Sequence, residues 1–552
     1  MRHLGLAVIA AGAIALTGCG GSSSGTNADP ASVTPASAPL YASIAVKPAG
    51  GPTGNAVSVA RTLTHLSDPY GSLTQALLST PHSRLDFKRD IGPWIGARAG
   101  VFVTSIDATS LQASAGSAQA LLEGGLTAGM SALSAGAFAS GTQGAIVLDT
   151  SDVEGARSFL DARAHEQQAH TASYRGVSYQ VAGSGLAEGI VDRFAVIGSE
   201  AALKSVIDTS LGAAAITSAP HYASAAENAI ASVYLRPEAL IKATHGAGAT
   251  SGAAISMLSP LLMGAQDASL SVTPSANSIS LQGEIHSSGG SSSLFGAEGA
   301  RALGELPESA WLAAGAANVG ANMGSALSLL HGIASIGTST VLASLGGPSI
   351  EKLLDRITSP SAKLQQLFAG WAGRAGLYAS GTGLFNLEGA LVIDSKDAAA
   401  SRAAVGKLGA LLRSSGAIVA PATIAGTDAA ISVKLQGFPA VLYVADGNSK
   451  LIIGLGQTSI TGALSPANTL SGSSSYSAAA AALGHGIQPS LIVEFPTLVG
   501  FLEGIGLAQS PPLSNLMGTL KSLGTLTAGS VSEPGVQRFR AVLGLTSVAQ
   551  TG

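Results

Sequence analysis

Cysteine is almost missing from this chain of 552 residues: Cys19 stands alone. Intrachain disulfides are therefore excluded, and a lone thiol does not suit a redox pair or a cysteine-rich metal centre. Charge is scarce as well. Asp, Glu, Lys and Arg make up 11% of the chain, where an average soluble chain has about 25%. The 28 basic residues are scattered, adjacent only at Lys88-Arg89, and the net charge is −4. No basic face exists to neutralise phosphates, so nucleic acid is not an expected partner. Long apolar runs are lacking beyond the N-terminus, although mean hydropathy is +0.39. That excludes a bundle of spanning helices. Small residues fill the space, with 71 Gly, so glycine spacing by itself carries no motif.

What is present begins at the N-terminus. Arg2 and His3 precede an apolar run from Leu4 to Leu16, too short to span comfortably and the right size for a signal peptide. Leu16-Thr17-Gly18-Cys19 then resembles a bacterial lipobox. Small residues there let the backbone enter the processing enzymes, and the thiol forms the thioether to diacylglycerol. The competing reading is an ordinary secretory signal with a chance cysteine. We expect residues 1–18 to be a lipoprotein signal peptide, Cys19 to be the lipidation and palmitate-bearing position, and residues 19–39, rich in Gly, Ser and Pro, to be a flexible tether.

The rest reads as two copies. Trp94-Ile95-Gly96-Ala97-Arg98-Ala99-Gly100 returns as Trp371-Ala372-Gly373-Arg374-Ala375-Gly376 if Ala97 is skipped. Ala145-Ile146-Val147-Leu148-Asp149 returns as Ala390-Leu391-Val392-Ile393-Asp394. Each is followed by a helical stretch, near residues 152–169 and 397–413, the first entered through a capping box of Ser151 and Glu154. Residues 174–182 and 193–197 read as paired strands, and hairpins are expected around Pro274 and Pro534. Strands and helices do not alternate as regular βαβ units. The fold class expected is therefore α+β: two homologous repeats, each an antiparallel sheet with flanking helices. Residues 40–290 form the first repeat, 291–307 a linker and 308–552 the second.

Candidate chemistry is thin. His165 and His170 are five residues apart, where a helical zinc pair needs four, so no metal site is expected. Gly21-Ser22-Ser23-Ser24-Gly25 matches a nucleophile elbow only in letters, because no strand or helix flanks it. Ser349-Ile350-Glu351-Lys352 lacks the partner motifs of its class. Asp149 and Asp394 are expected to accept N–H groups at helix entries. Trp94, Arg98, Trp371 and Arg374 are expected to serve packing, with each Arg holding a nearby carboxylate. Low-charge segments 108–143, 241–266 and 319–347 read as buried helices, or as helices lining a cavity for an acyl chain.

Asp29-Pro30-Ala31-Ser32-Val33-Thr34-Pro35, continuing to Leu40-Tyr41, and Asp90-Ile91-Gly92-Pro93-Trp94-Ile95-Gly96 resemble the DUF3352 family of bacterial proteins. The resemblance implies an envelope protein and carries no activity, cofactor or catalytic residue. The expectation is a lipid-anchored, non-enzymatic protein on the extracytoplasmic face of a bacterial membrane, with a structural or interaction role and no cofactor. The alternative is a carrier or sensor of an apolar ligand such as a lipid.

Overall fold

The structure, a computed structural model, describes residues 28–46, 86–105, 142–224, 228–243, 264–288, 295–322, 366–383, 385–435, 440–484, 486–509 and 513–546, with isolated positions 57, 61, 78 and 138. The expected signal peptide, Cys19 and most of segments 108–143, 241–266 and 319–347 lie outside these residues. The chain divides into two compact units, residues 4–289 and 290–551.

The first unit has strands β1 (Leu40–Ala45), β2 (Ile95–Ser105), β3 (Gln143–Thr150), β4 (His170–Tyr174), β5 (Val177–Val181), β6 (Leu186–Val191), β7 (Phe194–Ser199), β8 (Ala231–Leu235), β9 (Ala265–Pro274) and β10 (Ser278–Ser287). Every pairing among them is antiparallel. β1 lies between β2 and β8. Beyond β2 come β3, β7, β6, β5 and β4; beyond β8 come β9 and β10. Helices α1 (Val153–Glu166), α2 (Glu200–Ser210) and α3 (Pro237–Ala243) connect them.

The second unit has α4 (Ala297–Gly304), β11 (Leu312–Ala316), β12 (Ala372–Ser380), β13 (Glu388–Ser395), α5 (Ala398–Ser414), β14 (Ile418–Pro421), β15 (Ala429–Lys434), β16 (Val441–Gly447), β17 (Lys450–Leu455), α6 (Gly456–Leu464), α7 (Ser474–Leu483), β18 (Pro489–Glu494), α8 (Phe495–Gly504), α9 (Leu513–Lys521), β19 (Leu523–Glu533) and β20 (Val536–Leu545). β11 lies between β12 and β18. Beyond β12 come β13, β17, β16, β15 and β14; beyond β18 come β19 and β20. Again every pairing is antiparallel, and the order is that of the first unit.

The apolar runs explain the layers. Side chains alternate across a strand. In β3, Ala145 and Val147 join Leu203, Val206 and Ile207 of α2, while Ile146 and Leu148 join Ala156 and Leu160 of α1. A strand covered on both faces reads as a continuous apolar run rather than an alternating one. Each fully buried Ile, Leu or Val there stabilises by about 1.5–3 kcal/mol. In the second unit, Ile393 of β13 packs with Val405, Leu408 and Leu412 of α5, and Val392 packs with Ile460 and Ala463 of α6.

Several expectations need correction. Residues 28–39 are not tether. Asp29 caps a short helical turn, Pro30–Ser32, and Ala31, Val33, Thr34 and Ala38 are buried. Ala31, Val33 and Ala38 share one core cluster with Tyr41, whereas composition alone reads such small residues as flexible. Residues 297–304 are not linker either. They form α4, whose Ala300 and Leu303 are buried, and the preceding Phe295 carbonyl accepts the Ser530 hydroxyl. Residues 174–182 do not pair with 193–197. β5 folds back on β4 through Arg175 and Gly176, both at positive φ, and β6 lies between β5 and β7. The α1 cap is Asp152, not Ser151. Its Oδ1 accepts the Glu154 and Gly155 amides at 3.1 and 3.0 Å. The Ser151 hydroxyl instead donates to the Trp94 and Ile95 carbonyls. Asp397 caps α5 in the same manner, at 3.0 Å to the Ala399 and Ala400 amides.

Two outcomes follow from this packing. Gly315 of β11 lies directly under Gly299 of α4, and a Cβ on it would overlap the Gly299 carbonyl. Gly315→Ala is expected to destabilise the chain by about 1–3 kcal/mol, whereas Gly406→Ala, facing open space on α5, is expected to stabilise by about 0.5–1 kcal/mol. Urea unfolding of both variants checks the pair, and equal effects would contradict the close approach. Separately, burial pushes the Tyr378 hydroxyl up to about 12, with Glu388 adding to the rise. The unfolded chain loses that proton near pH 10. Tyr378 therefore contributes stability below about pH 10 that disappears as pH rises to about 12. Between unfolding titrations at pH 9 and 11.5, Tyr378→Phe should lose about 2 kcal/mol less than the wild type; identical losses would show an accessible hydroxyl.

Candidate functional site

The repeated Trp-Gly-Arg stretch opens β2 and β12, and in both places the ladder carries a bulge. Ile95 faces Thr150 and Ala99 faces Leu148, while Ala372 faces Ser395 and Ala375 faces Ile393. The first bulge is one residue longer, and Ala97 is that residue. The Ala97 amide donates to Asp149 Oδ2 at 3.1 Å and its carbonyl accepts the Val46 amide at 2.7 Å. A Cβ at Gly96 would overlap the Asp149 carboxylate, so glycine is required there.

Both tryptophans are buried by the same device. Trp94 Nε1 donates to the Asp90 carbonyl and Trp371 Nε1 to the Leu367 carbonyl, each at 2.7 Å. Trp94 lies 5.2 Å from the Phe159 ring and Trp371 lies 5.5 Å from Phe368. The Trp94 carbonyl accepts the Ser151 amide and the Trp371 carbonyl the Lys396 amide, both at 2.8 Å. These contacts fix the turn that leads into α1 and α5.

The two arginines diverge. Arg374 meets Asp394 at 2.7 Å, Glu305 at 3.2 Å and Glu298 at 3.8 Å. Burial works against the charge on Arg374, yet Asp394 and Glu305 raise its pKa above the ordinary value. Arg374, Asp394 and Glu305 border a crevice of about 10 Å³ that Lys450 also lines. Among the described residues Arg98 meets no carboxylate, contrary to expectation. It donates to the Ala229 carbonyl at 3.0 Å and lies 3.5 Å from the Ser43 hydroxyl. The longer bulge puts the Ala97 amide, not Arg98, against Asp149. Nor do Asp149 and Asp394 sit at helix entries: both lie within strands. Asp149 is buried and pairs with Arg193 at 2.9 Å. Burial pushes its carboxyl above the ordinary range, against the Ala97 amide and Arg193.

Two polar groupings were not anticipated from the sequence. Arg163 of α1 and Glu188 of β6 form a buried ion pair at 2.9 Å, and Arg163 also donates to the Leu78 carbonyl at 2.7 Å. Leu408, equally distant from its cap on α5, and Val444 of β16, which faces Ile453 as Glu188 faces Ile197, are both apolar. His221, Asp267 and His286 bring their side-chain ligand atoms within 4.8 Å of one another. Their separation along the chain hid them; the signal available was a lone Asp at the start of β9 with a His near the end of the strand paired to it. His165 and His170 fall on α1 and β4 and do not share a helix face.

These features define a two-unit α/β protein with extensive antiparallel sheet and no helix, among the described residues, long and apolar enough to cross a membrane. The chain belongs to the family described as a protein of unknown function (DUF3352), which it matches over residues 3–545. Among curated proteins none matches. Two solved structures, crystal forms I and III of TP0453, are similar over 48% of this chain and 81% and 83% of their own. Their identities are 10% and 9% and their TM-scores 0.24 and 0.25.

The buried pair offers a direct comparison. Arg163→Ala leaves the Glu188 carboxylate buried without its partner and is expected to destabilise by about 3–5 kcal/mol. Replacing both, as Arg163→Leu with Glu188→Val, gives the residue pair found in the second unit and should recover most of that loss. Chemical denaturation of the three variants decides it; a double variant as unstable as the single one would contradict the argument.

Proposed function

We propose that this chain is a lipid-anchored protein of the extracytoplasmic face of a bacterial membrane, serving as a non-enzymatic interaction scaffold. The observation that carries the reading is the position of the only cysteine, Cys19, directly after Leu4 to Leu16 and two small residues, Thr17 and Gly18. The early start of the folded body supports it. Nine residues separate Cys19 from Asp29, and fully extended they reach about 30 Å. An anchor at Cys19 therefore holds the first unit close to the headgroups.

We read the two units as copies of one duplicated fold. The shared strand order, the matching Asp152 and Asp397 caps and the matching tryptophan contacts support this. So do the isolated bridges Pro35–Ala215 and Pro307–Thr469, which stand at the same place in each copy. The residues that recur are engaged in packing and capping, which fits a scaffold.

Cys19→Ala is expected to release the protein from membranes and abolish acyl labelling; retention with unchanged labelling would refute the anchor. Native mass spectrometry of the protein extracted from its own membranes is expected to give the acylated chain alone. A stoichiometric co-purified lipid would replace the scaffold by a carrier of apolar ligands.

A further inference from the structure

We propose that His221, Asp267 and His286 form a binding site for one divalent transition ion of the zinc class. Asp267 stands near the start of β9, and His286 faces it on β10. Asp267 is 4% exposed. His221 comes from the loop that precedes β8, and its place is fixed by the Tyr234 hydroxyl, which donates to the neighbouring Pro220 carbonyl at 2.8 Å. The two imidazoles converge on one carboxylate: His221 Nδ1 lies 2.9 Å from Asp267 Oδ2, and His286 Nδ1 lies 2.9 Å from Asp267 Oδ1. The rings stack, with centroids 3.9 Å apart and planes 9° from parallel.

Three observations point to a ligand rather than to packing. First, Asp267 Oδ1 and His286 Nδ1 are buried and, despite their 2.9 Å approach, make no aligned hydrogen bond. Buried polar groups are ordinarily bonded, and an exception calls for a reason. Second, His221 has φ of 54°, a left-handed conformation that a non-glycine residue rarely adopts and that tends to mark functional positions. Third, the fold does not need these residues. In the second unit Thr525 and Gly544 follow the ladder pair Leu526–Leu543 as Asp267 and His286 follow Ala268–Ile285, beside a ladder shift in each hairpin.

The donor set defines the ion. Two imidazole nitrogens and one carboxylate oxygen suit zinc and its neighbours, and three protein ligands leave a coordination position for water. With bonds of about 2.0–2.1 Å, tetrahedral ligands stand about 3.4 Å apart, a small expansion from the present 2.9 Å contacts. Glu284 Oε2, 3.8 Å from His286 Nε2, is placed to orient that ring as an outer partner does. His221 is the half-exposed member, so the site opens to solvent on its side.

The test uses the purified full-length chain, stripped with chelator and titrated with Zn²⁺ by calorimetry, with metal content measured after desalting. One Zn²⁺ per chain is expected, and Co²⁺ should give the intense visible absorption of a tetrahedral site. His221→Asn keeps a residue tolerant of positive φ, and its metal-free unfolding midpoint should match the wild type. It and Asp267→Asn should each weaken Zn²⁺ binding by at least about tenfold, the loss that even outer-sphere changes produce. Cys19→Ala and His165→Asn should bind as the wild type does. Absence of stoichiometric Zn²⁺, full affinity in His221→Asn, or loss of binding in Cys19→Ala or His165→Asn would each overturn the assignment.

Discussion

The central strands of each unit are covered on both faces, and this constraint governs everything else. A strand such as β3 has no solvent side, so its neighbours must supply helices above and below. That is why α1 and α2 lie on opposite faces, and why Asp152 and Ser199, the residues that turn the chain from strand into helix, are both capping residues. With 11% charge in the chain, few groups can enter these layers as ions, and those that do arrive with partners. Asp149 meets Arg193 and the Ala97 amide; Arg163 meets Glu188 and the Leu78 carbonyl.

The two units show that the same strand order tolerates different polar content. One has Arg163 and Glu188 where the other has Leu408 and Val444. One has Asp267 and His286 where the other has Thr525 and Gly544. The apolar framework sets the fold, and the polar groups differ from one framework to the next. A side chain that is dispensable to one unit yet buried in the other draws attention to its chemistry rather than to its packing.

Legibility in the sequence followed distance along the chain. The Trp94 and Trp371 stretches, the Ala145–Leu148 run and the hairpin prolines Pro274 and Pro534 are local signals, and the corresponding elements stand where they are expected. Helix entry was misplaced by one residue, because Ser151 and Asp152 are both good caps and only the Trp94 carbonyl decides between them. Residues 28–39 and 297–304 were misjudged by composition: small residues signal either flexibility or tight packing, and the burial of Ala31 and Leu303 distinguishes the two. The hairpin around Pro274 pairs Asp267 with His286, but nothing local points to His221, which the loop before β8 brings to them.

The extra residue in the first bulge has a meaning beyond geometry. In a regular strand, one added residue reverses the facing of every side chain after it, exchanging what lies under α1 with what lies under α2. At Gly96-Ala97-Arg98 the ladder is already interrupted, and the Asp149 carboxylate accepts the added amide. Phe102 and Tyr378 accordingly lie in corresponding places, each fully buried, despite the difference in length. The bulge is thus the point at which the chain length of this sheet can change without disturbing its two faces.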